Sequence, residues 1–376
     1  MTGRQAAPGA VHDTIAFTAG GLRAPVHPMN ASAPAALTFP HAAPPAPGTT
    51  LEVAPGVLWL RMPLPFALDH INLWLLREDA GYVLVDTGFG DAATRALWDV
   101  HAQSTLRGRP ITRIVATHYH PDHVGNAAWL AARHGGLVHM TAGEFLTAHA
   151  VHADMPGYGV ADYCTHFAAH GMSGDDVEAL RARGNRYRGG APELPARYHR
   201  LMPGDALALG PRRFTVVPGY GHSPEHAALY AAKPAPLLIA GDMLLPRIST
   251  NVAVGPADPD GDSLARFLAS LDAFEGMPPD TLVLPSHGLP FRGAPLRVVD
   301  LRAHHALRLD ELHGALAAAA TPRAAVDVLP VLFRRPLDLQ QRFFAMGEAI
   351  AHLNHLWHAG RIERQVDAQG RVRFNA

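Results

Sequence analysis

Within the six positions His118-Tyr119-His120-Pro121-Asp122-His123, three imidazoles and one carboxylate closely follow a short apolar run, Ile111 to Ala116. That run reads as a strand, so the donors crowd the turn at its end. Imidazole nitrogens and carboxylate oxygens suit zinc, iron or manganese, and such a turn can aim alternate side chains at one centre while the last pair serves a second. With 24 histidines in 376 residues, one or two neighbours arise by chance, but four donors in six positions read as part of a metal site rather than as a solvated turn. A fold built on this turn has to bring further ligands back to it.

Three later segments offer them. His222 follows the apolar run Phe214 to Val217, within Pro218-Gly219-Tyr220-Gly221-His222-Ser223-Pro224-Glu225-His226. Asp242 follows Leu237 to Ala240, and His287 follows Thr281 to Leu284. Each donor stands where a strand gives way to a turn. An aspartate buried there is costly unless a metal or a complete hydrogen-bond network holds it, so coordination is the economical reading. Upstream, the strand Tyr82 to Val85 runs into Asp86-Thr87-Gly88-Phe89-Gly90. Asp86 can accept from backbone donors or fix the tautomer of a ligand imidazole, without being catalytic itself. Asp69 to Leu76 reads as another strand, with His70 and Asn72 on one side near its start.

The pattern His-x-His-x-Asp-His at 118–123, followed by His222, Asp242 and His287, resembles the metallo-β-lactamase superfamily. The resemblance implies that His118, His120 and His222 hold a first metal, that Asp122, His123 and His287 hold a second, and that Asp242 bridges them. It implies two zinc ions per chain, with iron or manganese compatible with the same donors. A water between two such ions would lose its proton near neutral pH and act as the nucleophile, oriented by Asp122. Pro218 to His226 is similar to the family's Gly-His-Ser/Thr-Pro-Gly-His segment, except that Glu225 replaces the usual glycine, a change that bears on loop conformation alone. His226 is expected to support the site rather than to add an eighth ligand. Asp86-Thr87-Gly88 resembles the family's Asp-Thr-Gly segment. The fold implied is α/β: an αββα sandwich with the metals at one edge between two sheets.

The length allows one large domain with an appendage, and 48% apolar residues suffice for a sizeable core. A formal charge of −1 gives no global field for nucleic acid or anionic membrane. The single Cys164 excludes an intrachain disulfide and fits a reducing compartment, and no apolar run is long enough for a membrane span. With no signal-peptide pattern either, a soluble, cytoplasmic protein is expected. Residues 1–48, broken by Pro34, Pro40, Pro44, Pro45 and Pro47, are expected to form an extended arm, and residues 49–303 the catalytic unit. A helix over Asn126 to Arg133 should follow the metal turn. A helical insertion over about 144–200 should roof the pocket, with helices at Ala161 to Ala169 and Gly174 to Arg183. Its Arg181, Arg183, Arg186, Arg188, Arg197 and Arg200 can meet an anionic part of a substrate, or form a solvated face or a subunit contact.

Residues 304–376 change rhythm to helices over His304 to Leu316 and Phe343 to His358, then a hairpin over Ile362 to Phe374. This tail is similar to the small winged-helix-like domain found on a subset of metallo-β-lactamase hydrolases, including a single-strand endoribonuclease. Its His304-His305-x-x-Arg308-Leu309 motif is read as structural. Phe343 to His358 carries Glu348 and no Lys or Arg, which argues against duplex reading. The tail is expected to support the pocket or to form a homodimer contact. The substrate expected is a small-molecule ester or thioester, with acyl thioesters favoured. A single-strand endoribonuclease ranks next, then lactone, β-lactam or phosphoester hydrolysis, and an iron-dependent dioxygenase after those.

Overall fold

The computed structural model describes residues 36–376. Of the expected arm, residues 1–35 lie outside the described part; within the remainder, Thr38 pairs antiparallel with Arg292. A seven-stranded sheet runs in chain order: β1 (Leu51–Ala54), β2 (Val57–Pro63), β3 (His70–Arg77), β4 (Tyr82–Val85), β5 (Ile111–Val115), β6 (Leu137–Thr141) and β7 (His199–Leu201). Strands β1 to β4 pair antiparallel, and β4 to β7 pair parallel. A second sheet holds β8 (Ala206–Leu209), β9 (Arg212–Gly219), β10 (His226–Ala231), β11 (Leu237–Gly241) and β12 (Leu282–Pro285), in the order β12-β11-β10-β9-β8. Only its β11–β12 pair is parallel.

Alternation of side chains along these strands decides the layering. Trp59, Trp74, Val83, Val85 and Val115 of the first sheet meet Phe214, Val216, Leu229, Ile239 and Leu284 of the second in one buried cluster. Their sequence neighbours Leu58, Leu60, Leu73, Leu75 and Leu84 point the other way, under Trp98 of α1 (Ala92–His101) and Leu130 of α3 (Ala127–His134). Between those helices lies the short α2 (Pro121–Val124). The helix expected over Asn126 to Arg133 is α3, which is separate from α2 because Asn126 leaves the helical conformation at φ −110°, ψ 10°. A Cβ on Gly125 would lie 2.2 Å from the carbonyl oxygens of both Pro121 and Gly190. Both sheets are covered on their outer faces, which gives the α/β, αββα order.

The insertion is richer than the sequence suggests. It holds α4 (Ala142–His152), α5 (Val160–Ala169), α6 (Gly174–Arg183) and the short α7 (Tyr187–Gly190). The two expected helices are α5 and α6, the latter capped by Ser173 Oγ, which accepts from Asp176 N at 3.2 Å. The expected start at residue 144 falls inside α4, which continues straight from β6.

Between β11 and β12 lie α8 (Ser263–Ser270) and α9 (Asp272–Glu275), and beyond β12 come α10 (Ala294–Ala317), α11 (Leu329–Leu332), α12 (Leu339–His358) and a hairpin of β13 (Glu363–Val366) with β14 (Val372–Asn375). Both long helices begin before the expected points. In α10, Pro295 occupies the first turn; in α12, Asp338 accepts from Gln341 N at 2.8 Å and caps the helix. Leu309, Leu312, Ile350 and Leu353 share one core with Phe267 of α8 and with Val283 and Phe291 beside the second sheet. Truncation before His304 would cut α10 in mid-helix and strip those four side chains, worth about 6–12 kcal/mol at roughly 1.5–3 kcal/mol each, against a domain stability of about 5–15 kcal/mol. The expected result is an insoluble or dye-binding, non-cooperatively melting fragment. Unchanged thermal unfolding and solubility of that fragment would show the tail to be an independent attachment. Among the described residues, no helix is long and apolar enough to cross a membrane.

Candidate metal centre

Parallel pairing of β4 with β5, and of β11 with β12, puts the carboxyl ends of four strands on the same edge of the sandwich. There the turn after β5 carries His118 to His123, and the loops after β9, β11 and β12 carry His222, Asp242 and His287. The structure brings all seven predicted donors together. They fall into two groups, His118, His120, His222 and Asp242 in one, and Asp122, His123 and His287 in the other.

In the first group, His118 Nε2 lies 2.9 Å from His120 Nδ1 and 3.2 Å from His222 Nε2. Asp242 Oδ2 stands 3.4 Å from His222 Nε2 and 4.0 Å from His118 Nε2. In the second group, Asp122 Oδ2 is 3.6 Å from both His123 Nε2 and His287 Nε2. The other oxygen of Asp242 faces this group, with Oδ1 3.6 Å from His123 Nε2 and 3.4 Å from His287 Nε2. A tetrahedral ion with bonds of about 2.0–2.1 Å separates its ligand atoms by roughly 3.4 Å. The observed spacings, from 2.9 to 4.0 Å, bracket that edge length. Hydrogen bonding leaves the cluster incomplete, since the buried His123 Nε2 and Asp242 Oδ1 have no partner among the described residues. The donor set would therefore suit divalent cations, with Asp242 presenting one carboxylate oxygen to each group.

Outer contacts fix which nitrogen each ring turns inward. His222 Nδ1 lies 2.7 Å from the Asn251 carbonyl and His287 Nδ1 2.8 Å from the His70 carbonyl, so both donate there and keep Nε2 free. His123 Nδ1 donates to Asp86 Oδ2 at 2.8 Å, the orienting role expected of Asp86. Asp86 is held in a left-handed conformation, φ 58°, and also accepts from Thr117 N and Oγ1. With its proton on Asp86, Thr117 Oγ1 accepts from His118 Nδ1 at 3.1 Å. His70 and Asn72 hold the last ligand loop: His70 Nε2 accepts from Gly288 N, and Asn72 Nδ2 donates to the carbonyls of Pro285 and Gly288. His226 Nε2 accepts from Asp242 N at 3.2 Å, so this ring supports the bridging residue's backbone.

Electrostatics keep the rings of the first group neutral and gather negative charge around the second. Burial first, then the neighbouring imidazoles, holds His118 well below the usual histidine range, and burial does the same for His120. Neutral imidazole is the form that ligates. Burial also opposes charge on His123, but Asp122, Asp86 and Asp242 outweigh it and raise its pKa to about 10. Carboxylates able to hold a proton there are able to hold a divalent cation in its place.

Sequence reasoning missed several contributors. Glu144, buried in the first turn of α4, accepts from Tyr119 N at 2.9 Å, Ser223 Oγ at 2.6 Å and Glu225 N at 2.6 Å, and so ties the His118–His120 turn to the His222 loop. Tyr187 of α7 donates to the Tyr119 carbonyl at 2.7 Å. Glu225 fits its loop by accepting from Gly143 N at 2.9 Å. Among the described residues, three of the insertion's six arginines have side-chain partners: Arg181 pairs with Glu178, Arg188 with Asp154, and Arg183 donates to Gln340 Oε1. In the tail, His305 Nδ1 faces His352 Nε2 at 3.3 Å, and Arg308 pairs with Glu311. Of the His-His-x-x-Arg-Leu motif, His305 and Leu309 are buried in the tail's core and His304 is exposed.

Residues 67–287 match the model of the metallo-beta-lactamase superfamily, and residues 309–376 match that of the metallo-beta-lactamase-like C-terminal domain. A solved beta-lactamase domain protein from Burkholderia ambifaria is 46% identical, with 90% of this chain and 98% of that one covered and a TM-score of 0.84. A hydroxyacylglutathione hydrolase of Marinomonas sp. is 23% identical over 227 residues, 60% of this chain and 63% of that protein. An acyl-coenzyme A thioesterase of Bos taurus is 27% identical over 206 residues, 50% of this chain and 63% of that protein.

Proposed function

The chain belongs to the metallo-β-lactamase superfamily, and we propose that it is a zinc-dependent, two-metal hydrolase of small acyl esters or thioesters, with thioesters favoured. One observation carries the reading: Asp242 presents Oδ2 to one nitrogen cluster and Oδ1 to the other. Two divalent cations held by these residues would supply Lewis acidity and lower the pKa of a bound water toward neutral. The chain's own residues prepare the rest. His118 and His123 are sealed, whereas His120, Asp122 and His222 are partly exposed, so substrate approaches from that side. Asp122 offers its carboxylate there as the acceptor that orients the attacking group, and the locked tautomers keep every donor aimed before substrate arrives.

Support for an acyl thioester comes from two sides. The hydroxyacylglutathione hydrolase and the acyl-coenzyme A thioesterase are named for substrates of that class, although the chain spans only 63% of each. Phe66, Leu68, Tyr220 and Ile248 are large apolar side chains left exposed within a few residues of His70, His222 and Asn251, as an apolar acyl group requires. Nucleic acid fits less well. Arg361, Arg364, Arg371 and Arg334 are paired with Asp310, Asp260, Asp367 and Glu311, and Arg342, in the extra turn of α12, is paired with Asp176.

The test is a side-by-side assay of zinc-loaded protein on acyl thioesters, lactones and single-stranded RNA, with a metal count. Thioester turnover, lost on chelation and in His118→Ala, is expected. Turnover of RNA alone, lost in the same variant, would replace this reading with an endoribonuclease; stoichiometric iron with oxygen uptake would replace it with a dioxygenase.

A further inference from the structure

Between β11 and α8 the chain runs without regular structure, and residues 250–254 of that stretch are fastened at both ends. On the metal side, Thr250 Oγ1 donates to the carbonyl of Asp242 at 2.5 Å, and the Asn251 carbonyl accepts from His222 Nδ1 at 2.7 Å. On the far side, Asn251 Nδ2 donates to Glu348 Oε2 at 3.0 Å, and Val254 N donates to the Gly347 carbonyl at 3.0 Å. The fit to α12 is close, since a Cβ on Gly347 would lie 2.9 Å from the Ala253 Cβ. Val252 and Val254 are buried in the core that the second sheet shares with the tail.

We infer that Glu348 is a positioning residue for the metal centre, acting through Asn251: its carboxylate clamps the Asn251 side chain, which sets the carbonyl that fixes the tautomer and aim of His222. The C-terminal helix thus contributes to the cluster of His118, His120 and His222, although no residue of it is a ligand. The alternative, a local bond that merely packs α12, leaves unexplained why the same asparagine carries both links. The two ends of one short residue transmit any shift of α12 to the imidazole. Outer partners of ligand histidines typically change metal affinity by about 10–100-fold when removed. The inference rests on the two-metal reading above.

The experiment uses full-length protein with cobalt(II) as probe, following stepwise binding by chelator competition and by the visible spectrum. In Glu348→Ala one of the two ions is expected to weaken by about 10–100-fold with an altered spectrum, while the other stays within about threefold of wild type. Glu348→Gln retains an acceptor oxygen for Asn251 Nδ2 and is expected to restore affinity and spectrum. Asn251→Ala keeps the backbone carbonyl but loses the clamp, and is expected to reproduce the defect even if Glu348→Ala does not fold. The double variant should be no worse than either single one, because the two act through one link. Wild-type affinity and spectrum in the folded variants, equal weakening of both ions, or additive losses would each overturn the relay. Failure of the wild-type protein to bind cobalt at all would instead remove the metal reading on which it rests.

Discussion

Asp242→Asn is expected to lower hydrolysis by about 10³-fold or more while leaving the fold intact, because it removes the one group that faces both clusters. The substitution is nearly isosteric and keeps the backbone bond from Asp242 N to His226 Nε2. Only the charge and one acceptor change. An amide can offer a single oxygen, so its NH₂ must face either His222 or the pair His123 and His287, in place of the oxygens that stand 3.4 Å from His222 and His287. Metal content measured after zinc loading should fall from two ions toward one. Without metal, the variant should be less thermally stable than wild type, since burial opposes the charge on Asp242 but His287 and His123 outweigh it and hold the carboxyl well below its usual range, and removing that charge leaves the buried imidazoles unpaired. Full activity with two ions bound would show that the bridge is not needed, and would return Asp242 to a structural role.

The donors of this site were legible because chemistry concentrates them: four within one turn, and three more each placed after an apolar strand. The strands read at Asp69 to Leu76, Tyr82 to Val85, Ile111 to Ala116, Phe214 to Val217, Leu237 to Ala240 and Thr281 to Leu284 correspond to β3, β4, β5, β9, β11 and β12, whereas β6, β7, β8 and β10 carry no such reading. What escaped notice has no local pattern. Glu144 begins a helix as any surface glutamate might, and its partners Ser223 and Glu225 lie 79 and 81 residues downstream. Asn251 acts through its backbone carbonyl, which no side-chain motif records. Glu348 was read by its charge, as an argument against duplex binding, whereas its place against Asn251 depends on tertiary packing. The density of arginines in the insertion leaves an anion site, a solvated face and a subunit contact open, because charge density does not reveal pairing, and Glu178 and Asp154 neutralise part of it locally. The early starts of α10 and α12 were readable in principle, from Pro295 after Gly293 and from Asp338 three residues before Gln341.

Mild acid is expected to destabilise this protein through histidines remote from the metal centre. His166 and His170 at the end of α5, His305 on α10 and His352 on α12 are all buried, between 1% and 8% exposed. Burial lowers their pKa values to about 4, 3, 3 and 4. The hydrogen bonds agree with neutral rings: His352 Nδ1 donates to the Glu348 carbonyl at 2.8 Å, leaving Nε2 to accept from His305 Nδ1. An unfolded histidine titrates near 6.5, so the unfolded chain takes up protons below that pH while the folded chain resists until about 3 to 4. Stability is therefore complete above the unfolded value and falls as pH drops through 6.5 toward the folded values. At pH 5 each ring costs on the order of 2 kcal/mol relative to pH 7.5, and four of them consume much of a stability of about 5–15 kcal/mol. Glu144 and Glu348, whose carboxyls burial raises to about 7, take up protons in the fold over the same interval and offset part of this loss, so chelated protein should melt about 5 °C lower at pH 5 than at pH 7.5. His170→Leu isolates the effect from the metal ligands, because the His170 side chain makes no hydrogen bond among the described residues and its ring lies 6.3 Å from that of Phe374. That variant should lose about 2 kcal/mol less than wild type over the same pH interval, and an equal loss in the two proteins would show that His170 is not held neutral in the fold.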